Sequence, residues 1–161
     1  MYRIICVSLI LLSLVYCAQK NTAFFQVSHE LLDSTPMIIM KRTACYGTCP
    51  QYEISIYHNG IIRYDGKAFV DKLDCSEAIL HDNVLLAIQS RLADINFFDF
   101  KDEYISPITD IPSVIFQVNL RQGSHKVTDR LSGPKSLKKL HSFIDSIADN
   151  VNEWDACKNL H

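Results

Sequence analysis

The sequence has little glycine and proline, and it lacks any long basic run. Five glycines and five prolines among 161 residues leave no room for a long low-complexity linker, so we expect a folded chain. A surface that follows a phosphate backbone needs a series of Lys and Arg side chains, and no such series is present. The formal net charge is −2. We therefore expect no nucleic acid among the partners.

The motifs of common enzyme families are also absent. The sequence contains no Gly-x-Ser-x-Gly, no glycine-rich phosphate-binding loop and no zinc-hydrolase pair. His58, His125 and His141 are spread singly, which does not favour a metal site. His125, Asp110 and Asp129 are candidates for acid–base chemistry near one end of a predicted hairpin, and a solvated rim of charges is the alternative. We predict no catalytic residue, metal or cofactor and leave enzymatic activity open.

The N-terminus carries an apolar run that is too short to cross a membrane comfortably. One basic residue, Arg3, precedes about a dozen mostly apolar residues from Ile4 to Val15. A membrane-spanning helix needs about 20 such residues, whereas a secretory signal needs fewer. The run therefore predicts an export signal.

Cys17 directly follows this run in the order Leu-Val-Tyr-Cys. That order resembles a bacterial lipobox, in which the cysteine receives a lipid and becomes the new N-terminus. Tyr16 departs from the pattern, since Gly, Ala or Ser usually precedes the lipidated cysteine. Two interpretations stay open: lipidation at Cys17, or a plain signal cut between Cys17 and Ala18. We favour a lipoprotein of the bacterial cell envelope that is anchored to the membrane by its N-terminal lipid and faces the periplasm or the cell surface.

These features divide the chain into three parts. Residues 1–17 are a lipoprotein-type signal peptide, residues 18–36 are a tether or docked segment, and residues 37–157 are a single α+β domain. The middle part contains the apolar stretch AFFQVSHELL, which favours docking over a free tether.

Hydrophobic periodicity predicts two hairpins and two helices. Period-two patterns predict strands at 37–44, 52–58, 61–64, 113–121 and 124–131, with a further short strand at 67–70. Asn59-Gly60 is typical of a type I′ turn. A helix follows each hairpin: the first begins at Ser76 or Asp82, and the second begins at Gly133-Pro134. The fold class that we expect is α+β, an antiparallel sheet built from two hairpins, each followed by a helix, with the helices packed on one face.

Four cysteines beyond Cys17 have to be explained. Outside the cytoplasm an even number of cysteines favours disulfides, but four cysteines allow three pairings. Cys45 and Cys49 flank a short connection between two predicted strands, where a disulfide would fix the turn. The alternative is a reactive or copper-binding pair, as in proteins where a helix N-terminus lowers the thiol pKa, but an alternating strand follows Cys49 here. A bond between Cys75 and Cys157 is the other expectation, and both could equally stay free.

The first hairpin is rich in tyrosine. Tyr46, Tyr52, Tyr57 and Tyr64 are a possible contact surface, because tyrosine suits partly wet interfaces. Ordinary strand packing is the alternative explanation for these residues.

The stretch around the first hairpin resembles a family of bacterial envelope proteins known only as a domain of unknown function. Its members open with Cys-aromatic-Gly-x-Cys-Pro-x-Tyr, an alternating strand, a glycine turn and Tyr-x-Gly. The matching positions here are Cys45, Tyr46, Gly47, Cys49, Pro50, Tyr52, Gly60, Tyr64 and Gly66. The resemblance extends over roughly residues 37–155, ending near Trp154, and implies no assigned activity.

The leading functional hypothesis is therefore an exported, lipid-anchored, non-enzymatic module that binds an unknown protein or envelope partner or helps to maintain the envelope. The alternative is an envelope thiol-redox or copper-handling protein that uses Cys45 and Cys49.

Overall fold

In the part of the chain that the structure describes, eight strands join into a single sheet, to which two helices are added. The computed structural model describes residues 34–157. The strands are β1 (Pro36–Arg42), β2 (Gln51–Tyr57), β3 (Ile61–Ala68), β4 (Asp74–Ile79), β5 (Glu103–Ile105), β6 (Val114–Leu120), β7 (Gly123–Arg130) and β8 (Asp155–Ala156). The helices are α1 (Asp82–Asp94) and α2 (Lys135–Asp149), and a short 3₁₀ turn spans Phe97–Asp99.

The sheet is mixed, and its strand order is β5-β7-β6-β1-β2-β3-β4-β8. All neighbours are antiparallel except β5 and β7, which are parallel. Strand β1 lies at the centre and pairs with both β2 and β6, so it joins the two predicted hairpins into one sheet. The predicted fold, an antiparallel sheet built from two hairpins with the helices on one face, is wrong, because the sheet has eight strands and one of its pairs is parallel.

The strands that sequence patterns miss lie toward the edges of the sheet. Strand β4 covers the stretch where one predicted helix start, Ser76, lies, and β5 lies in a predicted loop. Both strands are short and polar, so their sequences carry no period-two apolar signal. They are strands because β3 and β7 each offer a row of unpaired backbone groups that a neighbour can satisfy.

The connection between β2 and β3 differs from the predicted type I′ turn. A type I′ turn needs positive φ at both central residues, but only Gly60 has positive φ, at +88°. The loop is three residues long, from His58 to Gly60, and the side chain of Asn59 accepts a hydrogen bond from the N–H of Ile61. Gly60 is required because a Cβ there would lie 3.0 Å from the carbonyl oxygen of Leu80.

Alternating residues of the central strands form the core. Their side chains are fully buried on one face of the sheet: Ile38, Met40, Ile54, Ile56, Ile62, Phe116, Val118 and Val127. Apolar residues of the helices complete the cluster: Ile88, Leu92, Leu137, Leu140 and Ile144. Burial of each large side chain contributes about 1.5–3 kcal/mol to the transfer free energy, so this face dominates the stability of the domain.

The helices begin close to the predicted positions. Helix α1 starts at Asp82, whose carboxylate in the first turn suits the positive end of the helix dipole. Helix α2 starts at Lys135, so Pro134 precedes the first helical residue. Among residues 34–157, no helix is both long and apolar enough to span a membrane.

Candidate functional site

A polar row crosses the buried face of the sheet at the end where β1 finishes. Each residue of this row lies opposite the next one on the neighbouring strand. In the order of the strands they are Asp129 on β7, Val114 on β6, Arg42 on β1, Tyr52 on β2 and Gly66 on β3. These residues share a face with the apolar core because residues two apart along a strand point the same way. Three polar side chains therefore lie in one line across five strands.

Arg42, Tyr52 and Asp145 of α2 form a hydrogen-bonded cluster over this row. The phenol of Tyr52 donates to Oδ1 of Asp145 at 2.6 Å, and Nε of Arg42 donates to the Tyr52 oxygen at 2.8 Å. Nη2 of Arg42 also forms an ion pair with Oδ2 of Asp145. The cluster ties α2 to two central strands through a carboxylate that is only partly exposed to solvent.

The pKa values in this cluster follow from burial and charge. Burial raises the pKa of Tyr52 well above its ordinary value, and the hydrogen bond to Asp145 and its charge raise it further. Burial lowers the pKa of Arg42, but its hydrogen bond to Asp145 and the charge of Asp145 outweigh that effect, so the net pKa is raised. Tyr52 therefore stays a neutral donor and Arg42 stays charged.

Helix α2 presents three ionisable residues at a spacing of four: His141, Asp145 and Asp149. His141 is only 3% exposed and packs its ring against Phe116, with centroids 5.5 Å apart. Its Nε2 has no hydrogen-bond partner among the described residues. Burial lowers the pKa of His141 to about 4, so the ring is neutral at pH 7. The charged groups that act on it are Asp129, Arg42, Asp145 and Lys138.

Asp129 closes the other end of the polar row. It is 4% exposed, and its Oδ1 accepts a hydrogen bond of 2.7 Å from the N–H of Gly133, just before α2. A Cβ on Gly133 would lie within 2.6–2.8 Å of the carboxylate atoms, so only glycine fits. This carboxylate therefore has a structural role at the start of α2.

An aromatic stack continues the row toward β3 and the C-terminal end of the domain. Tyr52 stacks on Tyr64 with ring centroids 5.1 Å apart, and Tyr64 meets Trp154 edge-on at 6.1 Å. The ammonium group of Lys72, in the turn between β3 and β4, lies 3.9 Å from the Trp154 centroid and 5.6 Å from that of Tyr64. Burial lowers the pKa of Lys72. The stack thus holds a cation supplied by the chain itself.

The expected disulfide between Cys45 and Cys49 is present in the β1–β2 loop, at this same end of the sheet. Between the two cysteines the side chain of Tyr46 is 91% exposed. The N–H of Tyr46 donates to the carbonyl oxygen of Asp110 at 3.1 Å, and Asp110 has a φ of +64°. The loop is therefore held by a covalent bond and by a neighbouring loop while it presents an uncovered aromatic ring.

The four tyrosines of the predicted contact surface do not form one surface. Tyr52 and Tyr64 lie in the stack, and Tyr46 lies on the disulfide loop near the same end of the sheet. Tyr57 is an odd number of positions from Tyr52 on β2, so it points to the opposite face, where Arg63 lies 5.4 Å from its ring. The structure thus brings two of the four into contact.

The other candidate residues are placed as follows. Cys75 pairs with Cys157, which attaches the edge strand β8 to β4, and the N–H of Cys157 donates to the carbonyl oxygen of Cys75. Cys17 lies outside the described residues.

The acid–base candidates His125 and Asp129 lie four residues apart on β7. His125 contacts the carbonyl oxygen of Phe100 at 3.0 Å. Four residues of strand span about 13 Å, so the suggested acid–base group is not assembled.

Within residues 34–157, no group of three His, Cys, Asp or Glu side chains is arranged to hold a metal ion.

Three members of the site were not among the residues predicted from the sequence: Arg42, Lys72 and Asp145. The i, i+4, i+8 spacing on α2 is a signal that points to Asp145. Arg42 and Lys72 carry no local signal, because their partners are distant in sequence.

Comparison with known protein families gives one match. The model of a domain of unknown function, DUF6438, matches residues 36–148, which include every strand from β1 to β7 and nearly all of α2. No curated protein matches the chain. Since the match covers well over half of the sequence, this chain belongs to the DUF6438 family of domains of unknown function.

Proposed function

We propose that this protein is an exported, lipid-anchored module of the bacterial cell envelope that binds a partner through the end of the sheet where the Cys45–Cys49 loop lies. The single observation that carries the binding proposal is Tyr46, which is 91% exposed on a loop braced by a disulfide. Tyrosine is enriched at the centres of protein interfaces, and a braced loop loses little conformational entropy on binding.

Two disulfides support the export part of the proposal. Cys45, Cys49, Cys75 and Cys157 are all paired. Disulfides persist outside the cytoplasm and are rare inside it. Together with the apolar run that ends at Cys17, this favours a compartment beyond the inner membrane.

The ionisable groups favour binding over catalysis. Tyr52 keeps its proton because burial and Asp145 raise its pKa, and His141 is buried with a pKa lowered to about 4. A general acid or base works best with a pKa near the ambient pH and within reach of a substrate. Neither side chain meets both conditions, whereas Tyr46 and the aromatic stack suit contact with a partner.

The anchor is tested by expressing the full chain in a Gram-negative host with a clickable fatty acid. The wild type should incorporate the label and sediment with membranes. Cys17→Ser should lose the label and appear in the soluble periplasmic fraction. Cys6→Ser, which changes the other cysteine of the leader, is the matched control and should behave as the wild type. Label that persists in Cys17→Ser, or an unlabelled soluble wild type, would refute the anchor.

The binding surface is tested with a photo-crosslinking amino acid in place of Tyr46 in living cells. We expect a discrete adduct at this position. The same substitution at Tyr57, on the opposite face, is the control and should give none. Equal adducts at both positions would contradict the assignment of this end of the sheet.

A second candidate is thiol exchange or copper handling by Cys45 and Cys49. One observation favours it: the neighbouring residues Ala44, Tyr46, Gly47, Thr48 and Pro50 are all exposed, so a thiol or a metal donor can reach the pair. Thiol titration of the exported protein separates the two candidates. Ready reduction of this disulfide with stoichiometric Cu(I) binding would support the second candidate, and resistance to mild reductant would support a scaffold.

A further inference from the structure

We infer that Tyr64 and Trp154 form a subsite for the primary ammonium of a lysine side chain on a partner protein. Lys72 of the chain's own β3–β4 turn fills this subsite until the partner's lysine displaces it. The inference rests on the proposed function, because it names a ligand class for the same end of the sheet.

The geometry of the two rings carries the assignment. The Lys72 ammonium lies 3.9 Å from the Trp154 centroid and 5.6 Å from the Tyr64 centroid, both within the range of cation–π attraction. The rings meet at 65°, so they form a corner rather than a flat stack. A corner of two aromatic rings suits a cation, since the face of each ring carries negative partial charge. Lys72 shows that this corner accepts a lysine-type ammonium.

The charge around the corner also favours a cation. The carboxylates that raise the pKa of Tyr64, after burial, are Asp149, Asp145 and Asp71. Asp145 is already paired with Arg42, but Asp71 and Asp149 are exposed. Two exposed carboxylates therefore act on Tyr64, one of the two rings of the corner.

The contact that Lys72 makes is weakly held. Within residues 34–157, its ammonium has no salt bridge or hydrogen bond to a carboxylate, and burial lowers its pKa. Lys67 on the neighbouring strand, by contrast, pairs with Asp65 at 2.6 Å. An external lysine can replace Lys72 without breaking an ion pair, since Lys72 has no carboxylate partner among residues 34–157.

The turn that carries Lys72 exposes apolar side chains beside the corner. Phe69 and Asp74, near its two ends, have φ values of +54° and +64°, which are costly for residues other than glycine. Phe69 and Leu73 are 55% and 58% exposed and flank Lys72 on either side. A peptide whose lysine enters the corner would cover both apolar side chains. This apolar flank favours a protein partner over a lipid headgroup.

Trp154 allows a direct test because it is the single tryptophan of the chain. The full chain, purified in detergent, is titrated with N-acetyl-lysine methylamide at constant ionic strength while its fluorescence is recorded. N-acetyl-norleucine methylamide and choline are the comparison probes. We expect a saturable change with the lysine probe and weaker responses to the other two.

Variants connect the response to the subsite. Lys72→Ala removes the internal competitor and should lower the Kd for the lysine probe about two- to fivefold, the factor set by a contact of modest strength. Lys67→Ala removes a nearby lysine that does not touch the rings and should bind as the wild type does. Tyr64→Leu opens the corner but keeps the reporter, and should weaken binding at least threefold. Far-UV circular dichroism verifies each fold, and Lys72→Gln serves if Lys72→Ala does not fold.

Three results would overturn the inference: no gain in affinity for the charge-removing variant at Lys72, an equal response to the norleucine probe, or tighter binding of choline, which would point to a lipid headgroup. The test of the anchor reports on Cys17 alone. A failure of the lipid-labelling test at Cys17 and a failure of the lysine-probe titration are therefore distinguishable.

Discussion

Replacing both Cys75 and Cys157 by serine should destabilise the protein more than twice as much as replacing both Cys45 and Cys49. The two disulfides join residues 82 and 4 positions apart in the sequence. A cross-link restricts the unfolded chain more when it closes a longer loop. For closed loops of about 83 and about 5 residues, the loop-entropy relation gives ~4.5 and ~2 kcal/mol of stabilisation. The difference of ~2.5 kcal/mol is large against a typical total of about 5–15 kcal/mol.

Urea unfolding of the two double variants and the wild type, followed by far-UV circular dichroism at 25 °C, measures these losses. With a denaturant slope of about 1.5 kcal/mol/M, the midpoint should fall by about 3 M without the long cross-link and by about 1.3 M without the short one. Tryptophan emission should also change in the Cys75/Cys157 variant, because Trp154 directly precedes β8, which this disulfide attaches to β4.

Wild-type protein unfolded in excess reductant is the matched control. Its free energy of unfolding should fall by the sum of the two variants' losses, about 6.5 kcal/mol, because the two loops do not overlap. Equal losses for the two pairs, or a larger loss for the short one, would refute the reasoning that the cross-links act through the unfolded chain.

Three further predictions concern the site. Asp145→Asn leaves the partly buried Arg42 without its ion pair and should cost about 1–2 kcal/mol in urea unfolding, whereas the exposed Asp149→Asn should cost much less. The pKa of His141 is lower in the folded protein than in the unfolded one. The free energy of unfolding is therefore highest above pH 6.5 and falls by about 3 kcal/mol as the pH drops toward 4. His141→Leu should remove that loss, measured as the difference between two stability–pH curves. A Cβ at position 66 would overlap the carbonyl oxygen of Lys72, so Gly66→Ala should cost about 1–3 kcal/mol and shift the tryptophan emission, and unchanged emission would argue against this close contact.

Much of the central fold is predictable because its signals are local. The alternation in β2 and β6 and the three-to-four spacing in both helices come from residues within one element, so a single stretch of sequence contains them. The two hairpins are predictable for the same reason. The order of the strands between them is not, because β1 pairs with β6 across more than 70 residues and no local pattern records that pairing.

The candidate site shows the same division. Its tyrosines and the Cys45–Cys49 pair are visible as short motifs. Arg42 looks like an ordinary strand residue, and its role appears only when α2 places Asp145 above it. Lys72 looks like a turn residue, and it meets Trp154 only because β8 returns to the edge of the sheet.

The sequence by itself determined the two helices, the central strands and the cysteines available for cross-linking, because periodicity and turn chemistry act over a few residues. Only the tertiary structure decided the eight-strand order, the polar row and the aromatic corner that holds Lys72. Those features depend on which distant backbone edges and buried charges find partners, and that choice is made by the packing of the whole domain.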